Sequence, residues 1–221
     1  MKWVEEKLVP PMAKIGTQRH LLAIRNGVVS TLSLILIGTF FMVFINLPFP
    51  GWNEFIAPYS ATIVLPFRIT MGLMAIYATF VMGSDLAKSY RLDSVTGGIL
   101  SLGTFFMLQV PVNVLTPEEA PLGWVLPMSS LGASGMFAGI LSMIFAVEVY
   151  RFFKKRNITI KMPEQVPPAV ARSFEALIPG AVILTTTWLI RSVAGFDVNA
   201  ALLSLFEPLT NILGNNLLGV L

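Results

Sequence analysis

The chain contains no cysteine and a single histidine, His20, among its 221 residues. The missing cysteine excludes disulfide bonds, thiolate metal sites and a phosphocysteine carrier within this chain. Charged residues are also scarce, at 12% of the chain against about 25% in ordinary globular proteins. Hydrophobic residues make up 55%. This balance predicts an all-α, polytopic membrane protein that lies in a lipid bilayer.

Several function classes are disfavoured by what the sequence lacks. The formal net charge of +3 does not indicate nucleic-acid binding, because the basic residues lie in connectors and form no stripe with interleaved aromatic residues. The sequence contains no phosphate-cradling loop, no metal-binding pair of histidines and no nucleophile elbow. We therefore expect no cofactor, no metal site and no catalytic residue in this chain.

Long apolar runs dominate the sequence, and five of them can cross about 30 Å of hydrocarbon as helices. They are Gly27 to Leu47, Ala61 to Gly83, Val95 to Leu115, Leu122 to Val147 and Ala176 to Ala194. Pro111 should kink or end the third run, because proline lacks a backbone N–H. We expect an N-terminal segment at 1–26, a five-span membrane domain at 27–194 and a C-terminal part at 195–221.

The basic residues predict the orientation of these spans. All lysines and arginines except Arg68 and Arg191 lie in the N-terminal segment, in the connector after the second span or in the connector after the fourth. The other two connectors carry none. The positive-inside rule then predicts a cytoplasmic N-terminus, with the fifth span ending outside the cell.

Two regions outside the spans show local patterns. Asp197 is suited to cap a helix from Val198 to Leu213, whose apolar face predicts either an amphipathic helix in the membrane interface or a helix packed on the other spans. After it, Gly214 to Leu221 resembles the start of a truncated sixth span. Ile158 to Met162 alternates apolar and polar residues, so a short strand or hairpin is possible in the inner loop.

Arg68 and Arg191 are the two charges inside predicted spans. An intramembrane arginine is costly and needs a partner or a wet cavity, so Arg68 is a candidate substrate-binding residue. The alternative is a structural ion pair or snorkelling towards the outer surface, with Glu54, Glu118 and Glu119 as possible partners. Arg191 lies near the end of its span and is interpreted as an interface anchor.

His20 and Glu148 flank the membrane on the predicted inner side. A histidine can accept a phosphoryl group or a proton, but catalysis requires an orienting partner, and none lies near His20 in the sequence. A structural role beside the membrane is the default. Glu148 is followed three residues later by Arg151, which indicates an ion pair at a helix end.

Gly132, Gly135 and Gly139 make one part of the fourth span unusually small. Small side chains let helices approach closely in lipid. We expect these glycines to mediate helix packing within one protomer or between two protomers of a dimer.

Four stretches together resemble a known family. They are LVPPMAKIGTQRHLLAIRNG at 8–27, LAKSYRLDS at 86–94, GASGMFAGI at 132–140 and VEVYRFFKKRNITIKMPEQVPPAVARSFEALIPG at 147–180. The chain resembles enzyme IIC, the membrane permease of the bacterial phosphoenolpyruvate-dependent sugar phosphotransferase system, in its lactose, cellobiose and diacetylchitobiose branch.

The resemblance implies a homodimeric permease in the bacterial cell membrane. Such a permease takes up a β-linked disaccharide, for example cellobiose or diacetylchitobiose, and a separate enzyme IIB phosphorylates the sugar on the cytoplasmic side. The family carries its sugar-binding hairpins and its key histidine and glutamate in a second half, beyond the match with this chain. We therefore expect the N-terminal scaffold and dimerisation half, in which no residue inherits those roles. The alternative is a self-sufficient membrane structural or interaction protein without transport activity.

Overall fold

The computed structural model describes residues 16–114, 123–163, 165–202 and 204. The α-helices are α1 Arg19–Ser30, α2 Leu32–Ile45, α3 Trp52–Ile56, α4 Ser60–Ile63, α5 Leu65–Thr70, α6 Met74–Ser89, α7 Ser94–Gln109, α8 Met136–Lys155, α9 Pro168–Glu175 and α10 Leu177–Trp188. Strands β1 Val112–Val114 and β2 Gly123–Val125 pair antiparallel. Short 3-10 turns lie at Ala57–Tyr59, Met71–Leu73, Met128–Ser130 and Ala133–Gly135, and a π-helical turn lies at Leu189–Val193.

The described part of the chain contains four helical runs that are long and apolar enough to cross a membrane. They are Arg19–Ile45, Trp52–Ser89, Ala133–Lys155 and Pro168–Val193. The third predicted span corresponds to α7, which has only 16 residues and is therefore about 24 Å long. The described residues thus form a largely helical protein with four candidate membrane spans, and the predicted count of five spans is not confirmed.

The third predicted span is short because its helix stops early. Val110 adopts a φ of 47°, and Pro111 follows without a backbone N–H, so α7 ends at Gln109. The prediction that Pro111 ends or kinks this helix is consistent with that boundary.

The fourth predicted span needs a correction. Leu122 to Val147 was expected to be one helix, but β2 and two 3-10 turns occupy its first part, and α8 runs only from Met136 to Lys155. Pro127 and the glycines at 132 and 135 break the helix locally, although the average hydropathy of the segment is high.

The hairpin predicted in the inner loop is also corrected. Residues 158–162 form no strand, and the two-stranded sheet instead joins the segments on either side of residues 115–122. Val112 pairs with Val125 in this sheet. Alternation over five residues is a weak signal, because an irregular loop can show it by chance.

Helix α6 lies at the centre of the bundle and packs against α1, α7 and α8. It approaches α7 most closely where Gly83 faces Gly97. A Cβ added to either glycine would lie 2.8 Å from the carbonyl oxygen of the other, so both positions require the absence of a side chain. The core between α1, α6 and α8 contains Ala23, Ala78, Met82, Leu86, Ala87, Met143 and Val147.

Helix α10 completes the bundle by packing on α7 and α8. Leu100, Ala146, Tyr150 and Ile183 form the core at this junction. Helix α2 lies to one side and contacts α5, and its outward residues Leu36 and Phe40 are 70% and 68% exposed. A face this apolar and exposed is suited to contact lipid.

The helices alternate in direction, so the bundle has two chemically distinct ends. We call the end with the first residues of α1 and α7 and the last residues of α6 and α8 the basic end. The end with β1 and β2 is the hairpin end.

Candidate functional site at the basic end of the bundle

A cluster of polar side chains at the basic end surrounds the carboxylate of Glu148 in α8. His20 Nε2 lies 3.1 Å from Glu148 Oε1, and the Tyr90 hydroxyl donates to the same oxygen at 2.5 Å. Arg151 Nη1 donates to Glu148 Oε2 at 3.0 Å. Both oxygens of the carboxylate are therefore engaged by groups from three parts of the chain. We call His20, Tyr90, Glu148 and Arg151 the Glu148 cluster.

The ring of Tyr90 also contacts two arginine side chains near this cluster. The Arg151 guanidinium lies 3.9 Å from the centre of the ring, and the Arg19 guanidinium lies 5.2 Å from it. A cation over an aromatic face is attracted by the ring quadrupole. Burial raises the pKa of the Tyr90 hydroxyl, and its hydrogen bond to Glu148 raises it further, so Tyr90 stays a neutral donor.

The structure adds a partner for His20 that the local sequence does not show. Its sequence neighbours provide no orienting acid, but Glu148 provides one from 128 positions away. The predicted ion pair of Glu148 with Arg151 is confirmed. Because Glu148 also binds Tyr90 and Arg151, we interpret the cluster as a structural node that holds α1 and the end of α6 against α8.

A second set of ion pairs fixes helix α9 to the bundle. Asp93 caps α7 by accepting from Thr96 N at 2.9 Å and from Thr96 Oγ1 at 2.7 Å, and its Oδ1 lies 3.1 Å from Arg172 Nε. Burial alone would raise the pKa of Asp93, but the bonds from Thr96 and the charge of Arg172 lower it below its ordinary value. Lys154 donates to Glu175 at 2.6 Å. Helix α9 is therefore held by two charged contacts.

At the hairpin end, Arg191 has two fixed partners. Its Nε donates to the Leu108 carbonyl at 3.1 Å, and its Nη2 donates to Asp197 Oδ2 at 2.9 Å. The Leu108 carbonyl lies in the last turn of α7, where a helix leaves carbonyls unsatisfied and favours a cation. The Arg191 side chain is only 19% exposed. It lies near the end of its span, as an interface anchor would, but its bonds are made to groups of the bundle.

The predicted helix cap at Asp197 is confirmed. Asp197 Oδ1 accepts from Ala200 N at 2.9 Å, and residues 198–202 are helical. Most of the predicted amphipathic helix, and the predicted start of a sixth span, lie outside the described residues.

Arg68 forms no described bond with the Glu148 cluster or with Arg191. It is exposed on α5, and within the described ranges its side chain forms no ion pair or hydrogen bond. Its candidate partner Glu54 forms no ion pair with it there, and Glu118 and Glu119 lie outside the described residues. Among the described residues, no hydrogen bond or ion pair joins Arg68 to another candidate residue.

The three glycines lie in different settings: Gly139 in α8, Gly135 in the 3-10 turn before α8, and Gly132 directly before that turn. Gly139 is in α8, where a Cβ would lie 2.2 Å from Thr79 Oγ1 of α6. Gly132 and Gly135 precede α8. A Cβ on Gly132 would lie 3.3 Å from the Gly72 carbonyl oxygen, and a Cβ on Gly135 would lie 2.0 Å from the Ser130 carbonyl oxygen. Each glycine therefore faces atoms of its own chain. Among the described residues, no group of three histidine, aspartate or glutamate side chains is placed to hold a metal ion.

Comparisons with known proteins identify the family. The family model described as "Phosphotransferase system, EIIC" matches residues 25–221. The cellobiose-specific EIIC component of Geobacillus stearothermophilus is 37% identical over 201 residues, which cover 86% of this chain and 44% of that protein. The lichenan permease IIC component of Bacillus subtilis (strain 168) is 37% identical over 198 residues, which cover 85% of this chain and 44% of that protein.

A solved structure shares the fold. The crystal structure of the transporter ChbC, the IIC component from the N,N'-diacetylchitobiose-specific phosphotransferase system, matches with a TM-score of 0.85 and 35% identity, and the match covers 99% of this chain and 54% of that one. The chain spans about half the length of the curated relatives it matches, at 44% to 48%. These comparisons do not support the alternative of a self-sufficient structural protein. The family resemblance predicted from the sequence is confirmed, and the chain belongs to the EIIC family of the phosphotransferase system.

Proposed function

We propose that this chain provides the N-terminal scaffold half of a phosphotransferase-system sugar permease, enzyme IIC. Its sugar is a β-linked disaccharide such as cellobiose or diacetylchitobiose, and enzyme IIB phosphorylates that sugar. The observation that carries the proposal is the match of 99% of the chain to 54% of a diacetylchitobiose-specific IIC component at 35% identity. A cellobiose-specific relative supports the same class of sugar.

The chemistry of the bundle supports a scaffold role. A cavity of about 120 Å³ lies between α7, α8 and α10, and its lining is largely apolar. Three hydroxyls line it, but those of Thr104 and Thr187 donate to carbonyls of their own helices. A sugar needs several convergent polar groups, which this cavity does not offer, so the proposal places the sugar site on residues beyond this chain.

The proposed orientation places the basic end in the cytoplasm. Arg19, Lys88, Arg91 and Lys154 lie at that end, and the positive-inside rule assigns such residues to the cytoplasmic side. The N-terminus is then cytoplasmic, with five crossings in the bacterial cell membrane. Enzyme IIB would approach the same end.

The remaining assignments follow from this proposal. Residues 1–26 form the cytoplasmic segment, 27–194 the scaffold domain, and 195–221 an amphipathic helix followed by the start of another span. Two copies form the homodimer of the working permease. Gly139 serves helix packing within each copy, as its contact with Thr79 suggests, with Gly132 and Gly135 shaping the turns before it. Arg68 is a candidate for contact with sugar or with the other half of the permease.

Co-expression with a complementary half tests the proposal. We expect a strain lacking its own cellobiose permease to regain cellobiose uptake only when this chain and the C-terminal half of the Geobacillus stearothermophilus relative are expressed together with enzyme IIB. A matched control carries Gly139→Leu, which should block packing of α8 on α6. Uptake by this chain and enzyme IIB without the second half would contradict the scaffold assignment.

A further inference from the structure

The basic end of α8 carries two cations that have no anionic partner in the described part of the chain. Lys155 is exposed and forms no ion pair there, and Arg156 contacts only the ring of Phe152, 5.5 Å from its centre. The neighbouring Glu148 is neutralised by Arg151. An open recess of about 190 Å³ is lined by Glu148, Arg151, Phe152 and Lys155. The recess therefore has a net positive charge.

Two exposed apolar residues of α8, Leu141 and Phe152, lie on the helix face that carries this recess, and Glu148 lies between them on that face. Leu141 and Phe152 are 44% and 51% exposed, and they lie on the same helical face as Lys155 because their spacing follows the helical repeat. The axial distance from Leu141 to Phe152 is about 16 Å. This matches one leaflet, since the hydrocarbon core is about 30 Å thick.

We propose that this face of α8 is a binding site for an anionic phospholipid. The acyl chains lie against Leu141 and Phe152, and the phosphate headgroup binds Lys155 and Arg156. Charge complementarity selects the headgroup, because basic side chains beside a membrane span attract anionic lipids. The two exposed apolar residues, Leu141 and Phe152, favour lipid over a soluble protein partner, which would need the charged recess but not apolar side chains that extend along one leaflet.

Native mass spectrometry of the full 221-residue chain in detergent tests the site. We expect phosphatidylglycerol to bind more tightly than phosphatidylcholine of the same acyl composition. The double variant Lys155→Gln/Arg156→Gln should weaken phosphatidylglycerol binding by about 25-fold, because each basic side chain near an anionic surface contributes about fivefold. Inorganic phosphate should not displace the lipid, because it lacks the acyl chains.

The control Lys88→Gln/Lys161→Gln removes the same charge from the same end of the bundle and should leave phosphatidylglycerol binding within twofold. If the first double variant does not purify as a folded protein, Lys155→Gln alone should still cost about fivefold. Three results would overturn the proposal: equal binding of the two lipids, an equal loss in the control, or displacement by phosphate alone. Equal binding of the two lipids would instead favour a protein partner as the occupant of the recess.

Discussion

His20 Nε2 lies 3.1 Å from Glu148 Oε1, although 128 positions separate the two residues. The same oxygen accepts the Tyr90 hydroxyl, and Arg151 binds the other oxygen. One carboxylate thereby joins α1, the connector after α6 and α8. This geometry makes Glu148 the residue that joins these three parts of the chain at the basic end.

Replacing Glu148 with glutamine should destabilise the bundle. The amide keeps the shape of the side chain but loses the charge that pairs with Arg151 and supports the bonds from His20 and Tyr90. Because the cluster is partly exposed, we expect a loss of about 1–2 kcal/mol in the free energy of unfolding. Thermal melting in detergent measures this loss, and Glu54→Gln, at an exposed position of α3, should change stability by less than about 0.5 kcal/mol. Equal effects of the two variants would contradict the role of the cluster.

The cap and ion pair of Asp93 should make stability depend on pH. Because the pKa of Asp93 is lowered in the folded protein, its contribution is present above the ordinary aspartate pKa of about 4. That contribution is lost as pH falls through the lower folded value. Asp93→Asn should lower the melting temperature at neutral pH. The melting temperature of this variant should also fall less between neutral and acid pH than that of the unmodified chain. An acid profile identical to that of the unmodified chain would show that Asp93 does not contribute.

A side chain at position 139 should disrupt the contact between α6 and α8. In Gly139→Ala the new Cβ would lie 2.2 Å from Thr79 Oγ1, so the helices must separate or Thr79 must move. Such overpacking costs about 1–3 kcal/mol. The double variant Gly139→Ala/Thr79→Ala should recover part of the loss, because it removes the clashing hydroxyl.

Gly103→Ala is the matched control for this contact. Its Cβ would meet only Leu184 Cδ2, at 3.4 Å, and alanine favours a helix more than glycine does. Its melting temperature should be unchanged or higher. A fall as large as that of Gly139→Ala would indicate that any helical glycine is needed and would refute the specific contact.

Arg191→Met should loosen the hairpin end. The change leaves the Leu108 carbonyl and the Asp197 carboxylate without their guanidinium donor, and a lost hydrogen bond to a charged group costs about 1.5–3 kcal/mol. Arg68→Met removes the same charge from an exposed position without a described partner, so it should affect stability less. Amide hydrogen exchange near residues 108 and 197 should rise only in Arg191→Met. Equal exchange in both variants would contradict the proposed bond.

Three local sequence signals agree with the structure, whereas the alternation at Ile158 to Met162 wrongly suggested a strand. The end of α7 beside Pro111, the cap at Asp197 and the ion pair of Glu148 with Arg151 each depend on residues a few positions apart, and each agrees with the structure. The apolar runs also located helical segments. Their lengths were less reliable, because average hydropathy does not register the turns before α8.

Long-range contacts could not be predicted from one sequence. The contacts of His20 with Glu148 and of Arg191 with Leu108 connect different helices. The rotation of one helix relative to another depends on close packing, such as the approach of Gly83 to Gly97. Hydrophobic composition gives almost no information on that rotation when most faces of a helix are apolar. The family resemblance, which uses the order of specific residues, succeeded where periodicity did not.

The central claim is that this chain is the scaffold half of a permease and needs a second half to bind sugar. Equilibrium binding of radiolabelled cellobiose and diacetylchitobiose to the purified chain in detergent, alone and assembled with the C-terminal half of a relative, tests it most directly. We predict no specific binding to the chain alone and saturable binding to the assembly. Saturable binding to the chain alone, with an affinity like that of a full-length relative, would contradict the account.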